Sequence, residues 1–398
     1  MVKQKIFNDP VYGFTAVPKG ILLDLIDHPF FQRLRRIRQT GLANYVYPGA
    51  LHTRFHHALG ALHLMQETIL VLRSKDVIIT DEEAEAVCIA ILLHDIGHGP
   101  YSHALEHTII DLHHENLSVL FMEALNKEFT GKLTLAIAIF SDQYPKRFLH
   151  QLVSGQLDMD RMDYLNRDSF FTGVSEGVIG YDRIIKMLAV HEGELVVEEK
   201  GIYSVEKFLI ARRLMYWQVY LHKTNVAAEQ MLTSALRRAK ELTLKGEKVP
   251  ASRNLTWFLQ QKPGMQHNQE EVLQRFAHLD DTDIAMALKE WSEEKDPVLN
   301  FLATGLLNRR LYRLEWSQHP FTPEYVAATR TRLRAKFDAA FPDSYLLLEG
   351  KESNQAYSEA KEPIKILFNA GMVKPVSECS DVPLYTQEVT KYYLAYPK

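Results

Sequence analysis

The segment that most constrains this chain is ILLHDIGHGPYSH, residues 91–103. An apolar run with helical character ends there on His94 and Asp95, and a Gly-His-Gly-Pro sequence then interrupts regular structure. The exposed carbonyl groups of a helix C-terminus favour a nearby cation. An imidazole and a carboxylate at such an end therefore favour a bound metal ion.

Histidines are concentrated around this segment. Ten of the 17 histidines fall between His52 and His114, where even scattering would place roughly three of these mostly exposed side chains. Taken singly, most histidines are ordinary core or surface residues. That ordinary interpretation is kept here for His52, His63, His107 and His113.

Composition limits the other classes of protein. The formal net charge of −4 and the isoelectric point near 6.5 provide no overall positive field for nucleic acid. No apolar run reaches about 18 residues and no secretory signal opens the chain, so we expect a cytoplasmic protein. Two cysteines, Cys88 and Cys379, cannot build a thiolate zinc site. The arginines of RLRRIR (33–38) are expected on a solvated or interface face.

Helical spacing dominates the chain to about residue 245. It predicts a helix over 21–41, further helices from near His56, at 81–95, and within 115–140 and 145–170, and a long helix at 206–242. GELVVEEKGIYSV (193–205) predicts a hairpin that turns at Lys-Gly, and SYLLLE and IKILF are strand-like. We predict a mainly α fold with small β hairpin elements (1–245) and a mixed α+β C-terminal region (246–398).

A polar stripe completes the candidate metal site. In QLDMDRMDYLNRD (156–168), Asp160, Tyr164 and Asp168 recur at steps of four and so share one helix face. Such a stripe suits a polar cavity better than a core. Together with the pair His56 and His57 and the HD pair, it offers imidazole and carboxylate ligands, which suit Mn, Fe, Zn, Co, Ni or Mg.

Four motifs in order, HTRFHHALG, LLHDIGHGPYSH, HHENLS and DMDRMDYLNRD, give the chain a family resemblance. It resembles the HD-domain phosphohydrolases, specifically the deoxynucleoside triphosphate triphosphohydrolase branch, over roughly residues 5–240. The fold this implies is an HD-domain helical core. The metal ligands it implies are His57, His94, Asp95 and Asp160.

The resemblance also implies roles for other residues. His98, His103 and His114 match histidines around the triphosphate, and Glu106 matches the acidic partner of the catalytic His103. A general acid of this kind contributes about 10²–10⁴ in rate. The implied substrate contacts are Gln39, Arg54, Arg161, Tyr164, Asp168, Arg212 and Tyr220.

A regulatory nucleotide is implied as well. Asp27, Gln32 and Arg35 match residues that read a guanine nucleotide between subunits of the vertebrate enzyme, so the chain would be a homo-oligomer, a dimer or tetramer, activated by a nucleotide. The predicted reaction is metal-dependent cleavage of a deoxynucleoside triphosphate into deoxynucleoside and inorganic triphosphate.

Two alternatives stay open. One is an HD phosphohydrolase acting on a cyclic nucleotide, a guanosine polyphosphate or a monophosphate. The other is a nucleotide- or nucleic-acid-binding regulator with a vestigial site.

Overall fold

The first part of the fold is a hairpin followed by short helices, seen in a computed structural model. The segment 21–41 was predicted as one helix, and this prediction is wrong because Pro29 forces His28 into an extended conformation (φ −67°, ψ 140°).

The structure describes residues 4–102, 108, 113–262, 268–337, 341–355, 357–360, 362–369, 371–384 and 387–398. The elements are β1 (Gln4–Asp9), β2 (Gly13–Pro18), α1 (Ile21–Asp27), α2 (Pro29–Gln32) and a 3₁₀ turn at Arg33–Arg36.

The middle of the fold is a helical layer centred on a long helix, α3. α3 packs against both α4 and α8, and the three helices are buried along the faces that meet. The apolar run that ends at Leu93 forms α4, as the sequence predicts. These helices are α3 (Arg54–Ser74), α4 (Asp81–Leu93), α5 (His114–Glu128), α6 (Thr134–Phe140), α7 (Arg147–Val153), α8 (Met159–Thr172) and α9 (Tyr181–Met187).

A hairpin follows α9, but not where the sequence placed its turn. Strands β3 (Leu188–His191) and β4 (Glu194–Glu198) pair around Glu192 and Gly193, both of which have positive φ. Two residues of positive φ match the twist of a tight hairpin. The turn predicted at Lys-Gly (200–201) is therefore wrong; those residues belong to a 3₁₀ turn that leads into the next helix.

The long helix predicted at 206–242 is also interrupted. It comprises α10 (Ile202–Met215), a π-helical turn at Tyr216–Tyr220, and α11 (Lys223–Leu244). His222 is extended and its Nδ1 accepts a hydrogen bond from the Thr224 amide, so it caps α11. The π turn is the local feature that the helical spacing did not reveal, and π turns are frequent at functional sites.

The C-terminal region mixes helices with two small sheets. β4 pairs in parallel with β7, which ties this region to the preceding hairpin. IKILF forms a strand as predicted, whereas SYLLLE begins as a short helix. The elements are α12 (Arg253–Leu259), α13 (Gln269–Phe276), α14 (Asp281–Trp291), α15 (Pro297–Leu307), β5 (Arg313–Ser317), α16 (Pro323–Arg334), α17 (Asp343–Leu346), β6 (Leu348–Asn354), β7 (Lys365–Leu367), β8 (Val373–Pro375) and β9 (Val389–Tyr396).

Sheets and core together confirm the predicted fold class. The sheets have the strand orders β1-β2, β3-β4-β7-β8 and β5-β9-β6 among the described residues. One buried apolar cluster extends from Val17 to Ala395, so the helical core and the C-terminal region share it. The division at residue 245 stays a prediction. Within the described part of the chain, every helix is too short or too polar to cross a membrane.

Candidate active site

Four predicted metal ligands meet where α3, α4 and α8 converge. The Nε2 atoms of His57 and His94 are 3.2 Å apart. Asp160 Oδ1 lies 3.1 Å from the first and 3.4 Å from the second. The carboxylate of Asp95 lies 3.6 Å from His57 Nε2 and 3.4 Å from His94 Nε2. Bonds of about 2.0–2.2 Å to one ion place neighbouring ligand atoms about 3 Å apart, so His57, His94 and Asp160 have metal-site spacing. Asp95 lies beside these three, with a different carboxylate oxygen toward each imidazole.

The hydrogen bonds of the two imidazoles fit a metal. His94 Nδ1 is 2.6 Å from the Ile91 carbonyl oxygen, and His57 Nδ1 is 2.7 Å from Asp163 Oδ2. Both partners are acceptors, so both Nδ1 atoms carry the hydrogen. In the neutral rings, the two Nε2 lone pairs then face each other across 3.2 Å. A cation between them removes the repulsion.

The electrostatics of the cluster also favour a bound cation. Burial lowers the pKa of His57, but its hydrogen bonds with Asp160 and Asp163 outweigh that effect and raise the pKa to about 10. Burial raises the pKa of the Asp160 carboxyl, whereas its hydrogen bonds with His57 and His94 lower the pKa far below the ordinary range. Both shifts come from carboxylates concentrated on buried imidazoles, and this field favours positive charge at Nε2.

His57 is held in place by a buried ion pair that the sequence did not lead us to predict. Asp163 accepts two hydrogen bonds from Arg167, each 2.9 Å long, and both side chains are fully buried. Arg167 also forms a 2.9 Å ion pair with Asp9. A Cβ at Gly60 would lie 2.0 Å from Asp163 Oδ1 and from Arg167 Nη2, so the glycine on α3 makes room for the pair. One sequence signal could have pointed to it, the i, i+4 spacing of Asp163 and Arg167.

The turn after the HD pair is held in place by close contacts. A Cβ at Gly97 would lie 2.2 Å from the His114 carbonyl oxygen and 2.4 Å from the Ser118 amide nitrogen, which explains the glycine. Ser118 Oγ donates to the His94 carbonyl oxygen at 2.7 Å and accepts from the Gly97 amide at 3.0 Å. The N-terminal end of α5 thereby fixes the segment that presents His94.

Arg33 also holds this turn, which corrects the expectation for RLRRIR. Its guanidinium donates to the carbonyl oxygens of Ile96 and His98 at 2.7 and 2.9 Å and to that of Leu279 at 3.1 Å. The side chain is fully buried. The expectation of a solvated or interface face is therefore wrong for this arginine, because a buried guanidinium can satisfy several carbonyl groups at once.

Asp95 is shared between the cluster and its neighbours. Arg54 Nη1 donates to Asp95 Oδ2 and Arg54 Nη2 donates to Ser102 Oγ at 2.7 Å. His98 Nε2 lies 3.3 Å from Asp95 Oδ1, and its ring stacks on His114 with centroids 4.0 Å apart. Arg54 thus connects the cluster to the cavity beside it.

That cavity has a volume of about 580 Å³ and adjoins the cluster. Its size falls in the range of ligand pockets. Ten predicted site residues line it: Gln39, Arg54, Asp95, His98, His114, Asp160, Arg161, Tyr164, Asp168 and Tyr220. Residues that the sequence reading did not single out also line it, among them Tyr216, Asn225, Glu229, Gln230, Thr233 and Glu352.

Asp168 is fixed from two sides. His52 Nε2 lies 2.6 Å from Asp168 Oδ1, and the Tyr220 hydroxyl donates to Asp168 Oδ2 at 2.6 Å. His52 is buried and stacks on Phe171 with centroids 4.5 Å apart. The ordinary interpretation of His52 therefore missed a contact with a predicted site residue.

Other predicted residues lie elsewhere. Arg212 is not among the described residues that line the cavity. Its Nη1 donates a hydrogen bond to Gln156 Oε1 at 3.2 Å. In the predicted regulatory set, Arg35 Nε donates to Gln32 Oε1 at 2.8 Å, and Asp27 pairs with Lys5 at 3.4 Å. None of these three residues is among the described residues that line the cavity. His103 and Glu106 lie outside the described residues.

Comparisons with known proteins place this geometry in a family. The chain is similar to a phosphohydrolase of Bacteroides thetaiotaomicron VPI-5482 of known crystal structure, with 51% identity, a TM-score of 0.94 and 100% of both chains covered. It is 31% identical to the uncharacterized protein YwfO of Bacillus subtilis, over 100% of this chain and 93% of that protein. The family model described as "HD associated region" matches residues 179–253.

A further relative carries a named activity. The chain is 32% identical to the deoxynucleoside triphosphate triphosphohydrolase SAMHD1 homolog of Dictyostelium discoideum, over 60% of this chain and 50% of that protein. It thus spans about half the length of that relative. The chain belongs to the HD-domain phosphohydrolases, which are metal-dependent hydrolases, and its resemblance to their deoxynucleoside triphosphate triphosphohydrolase branch is confirmed.

Proposed function

We propose that this protein hydrolyses deoxynucleoside triphosphates to deoxynucleoside and inorganic triphosphate. The observation that carries the proposal is the cavity of about 580 Å³ that is lined both by Asp95 and Asp160 of the cluster and by Tyr164 and Tyr220. It offers a cluster for a metal, cationic side chains for phosphates, and aromatic rings for a sugar within one enclosure. A metal-bound nucleoside triphosphate requires all three.

The metal ligands would be His57, His94, Asp95 and Asp160. A divalent ion held there supplies Lewis-acid chemistry, lowering the pKa of water and polarising a phosphoryl oxygen. This chain's own part is to set the protonation of the imidazoles through Ile91 and Asp163, so that each Nε2 is free to bind. The identity of the metal stays open among Mn, Fe, Zn, Co, Ni and Mg.

Phosphate charge is assigned to the cations and histidines that line the cavity. Arg54 and Arg161 present guanidinium groups, and guanidinium suits phosphate through its fork of donors. Arg161 also bonds to buried Asp158, which orients it. His98 and His114 are stacked beside Asp95 and are assigned to the same triphosphate.

Leaving-group protonation is assigned to His103 with Glu106. A proton donor for the departing 5′-oxygen contributes about 10²–10⁴ in rate. This assignment rests on the family motif alone. We expect His103→Ala to retain its metal and lose most of its turnover; unchanged turnover would remove His103 from the mechanism.

We assign binding of the sugar to Tyr164 and Tyr220, whose side chains line the cavity. The rings of Tyr164 and Tyr220 meet edge to face with centroids 6.1 Å apart, and Tyr220 is tied to Asp168. A sugar packed against Tyr164 would have little room for a 2′-hydroxyl, so we expect dNTPs to be preferred over NTPs. Cytoplasmic location, assembly into a homo-oligomer and activation by a nucleotide at Asp27, Gln32 and Arg35 stay predictions.

The product of the reaction tests the proposal. Purified protein with measured metal content is incubated with each of four dNTPs and four NTPs, singly and as mixtures, and the products are separated by ion-exchange chromatography. Inorganic triphosphate and deoxynucleoside in equal amounts support the proposal. Orthophosphate or pyrophosphate as the sole inorganic product would contradict it and favour an HD phosphohydrolase of another nucleotide class.

A further inference from the structure

One wall of the cavity is acidic although the cavity is proposed to hold an anionic substrate. It is formed by Glu229 on α11 and Glu352 on β6, and we call these two residues the acidic wall. Among the described residues, no hydrogen bond or ion pair joins the acidic wall to the metal cluster. It therefore requires an explanation of its own.

The placement of both carboxyls follows from their elements. Asn225, Glu229 and Thr233 are spaced by four residues and share the cavity-facing side of α11. Along β6 the burial alternates, with Gly350 and Glu352 on the less exposed side and Lys351 and Ser353 on the exposed side. Glu352 thus points inward from a half-buried strand, where a solvated glutamate would be expected on the other face.

In the part of the chain that the structure describes, the acidic wall has no cation of its own. Among the described residues Glu352 forms no ion pair, and its cross-strand partner Lys391 instead lies over the Trp217 ring, 3.8 Å from the centroid. Glu229 accepts one 3.2 Å hydrogen bond, from Asn225 Nδ2. Burying a carboxyl group away from water without a hydrogen-bond partner costs free energy. A ligand with hydrogen-bond donors would therefore stabilise these two side chains.

Two further acceptors on cavity-lining side chains have no partner among the described residues. Asn225 is 2% exposed, and its Oδ1 has no hydrogen bond within the described part of the chain. Its Nδ2 is committed to the Tyr220 carbonyl oxygen and to Glu229, which fixes the amide orientation. Gln39 Oε1 is likewise buried and unpartnered among these residues. Both line the same cavity, and both call for a donor from a ligand.

The covalent order of phosphate, sugar and base in a nucleotide indicates that the base contacts the acidic wall. With phosphates at Arg54 and Arg161 and the sugar at Tyr164, the base extends into the remaining space. That space is bounded by α11 and β6. Asn225 connects the two parts directly, because it bonds to the backbone of Tyr220 on one side and to Glu229 on the other.

We infer that Glu229 and Glu352 read the nucleobase and favour guanine, an inference that rests on the proposed function and names its preferred substrate. A carboxylate accepts two parallel hydrogen bonds from guanine N1–H and the 2-amino group. Adenine and cytosine offer an amino group beside a ring acceptor, and thymine offers one N–H between two carbonyl oxygens. Guanine alone of the four presents two adjacent donors on that edge.

Charge on the acidic wall agrees with this geometry. Burial raises the pKa of Glu229 to about 8, with the Glu352 carboxylate adding to the rise, and burial also raises the pKa of Glu352. Both carboxyl groups are thus harder to ionise than a glutamate in water. Hydrogen-bond donors from a ligand would stabilise the charged form that burial disfavours.

The experiment measures kcat/KM for dGTP, dITP, dATP, dCTP and dTTP with the metal-loaded full chain. We expect dGTP to exceed dTTP at least tenfold, and dITP, which lacks the 2-amino group, to fall between them. Glu229→Gln and Glu352→Gln should each lower the dGTP value at least tenfold and change the dTTP value less than threefold. Glu349→Gln, on the exposed face of the same strand, is the matched control and should leave all five values unchanged.

A binding measurement separates this inference from the proposed function. Calorimetry compares deoxyguanosine with thymidine on the wild type and the two variants, and it requires no turnover. If no dNTP is hydrolysed but deoxyguanosine binds more tightly and loses that advantage in the variants, the base assignment stands and the proposed function fails. If dNTPs are hydrolysed with equal kcat/KM, or the variants affect all bases equally, the base assignment is overturned. If a variant does not fold, the kcat/KM values of the wild type for dGTP and dITP still test the base assignment.

Discussion

His57 Nδ1 and Asp163 Oδ2 are 2.7 Å apart, and both side chains are fully buried. This bond fixes the hydrogen on Nδ1 and turns the Nε2 lone pair toward His94. Asp163 is itself held by the two-pronged contact with Arg167. The orientation of one ligand thus depends on a side chain that does not touch the cluster centre, an arrangement that tunes affinity at many metal sites.

Asp163→Asn should weaken metal binding about 10–100-fold, the usual effect of losing such a supporting carboxylate. The amide is neutral and leaves Arg167 with Asp9 as its remaining acidic partner, so the variant should also unfold at a lower temperature. Competition with a chromogenic chelator gives the affinity, and circular dichroism gives the folded fraction at the assay temperature. Asp182→Asn, an exposed position on α9, is the control. A folded variant with wild-type affinity would show that Asp163 does not position His57.

Gly60→Ala should destabilise the protein by about 3–5 kcal/mol, the cost of disrupting a buried ion pair. The new methyl group would lie 2.0 Å from Asp163 Oδ1 and from Arg167 Nη2, on two fully buried side chains that hydrogen-bond each other. Gly180→Ala is the matched control, since a Cβ there meets nothing within 4 Å. Chemical denaturation of both variants measures the difference. Equal free energies of unfolding would mean that α3 and α8 separate easily, contrary to their packing.

The Asp163 contact also shows where sequence reasoning stopped. On α8 the residues 160, 164 and 168 were recognised as a polar stripe, and they do line the cavity. Asp163 and Arg167 form a second stripe, buried against α3, and two charged residues on a helix usually indicate a solvated face. Their burial depends on Gly60, more than 100 positions earlier in the chain, and one sequence without an alignment does not reveal that pairing.

The C-terminal region shows a second limit. Its strands were partly predicted from apolar runs. No motif pointed to Glu352, because this residue reaches a cavity that is otherwise lined by residues far earlier in the chain. The π turn at Tyr216–Tyr220 was likewise invisible, because its residues fit helical spacing. Local pattern thus predicted the HD end of α4 well, whereas long-range contacts decided which other side chains reach the cavity.

Asp95→Ala should abolish both metal binding and turnover. Asp95 lies within 3.6 Å of both cluster imidazoles and also bonds to Arg54. The truncation removes a ligand and leaves a guanidinium, 4% exposed, beside the cluster without its carboxylate, and positive charge there opposes a cation. Atomic emission analysis of the purified variant measures bound metal, and product release measures activity. Asp24→Ala, on the exposed side of α1, should keep both. An active, metal-loaded Asp95 variant would refute the assignment.

Glu83→Gln should lower stability at pH 7 and lose that effect in acid. Glu83 is 4% exposed and accepts hydrogen bonds from Lys146, from the Tyr144 hydroxyl and from the Thr80 amide, all at 2.7–2.8 Å. Burial raises the pKa of this carboxyl, but the bonds from Lys146 and Tyr144 outweigh that effect and lower it below its ordinary value. Bonds to a charged group contribute about 1.5–3 kcal/mol, so we expect a loss of about that size.

The pH dependence follows from the direction of this shift. A depressed folded-state pKa contributes stability that is complete above the unfolded value of about 4.3 and is lost as the pH falls through the folded value. Urea denaturation at pH 7, 5, 4 and 3 should therefore show the wild type and Glu83→Gln converging below about pH 4. Glu82→Gln, the exposed neighbour in the same helical turn, should follow the wild type throughout. A constant difference between Glu83→Gln and wild type down to pH 3 would mean that packing, and not the charge of Glu83, stabilises the start of α4.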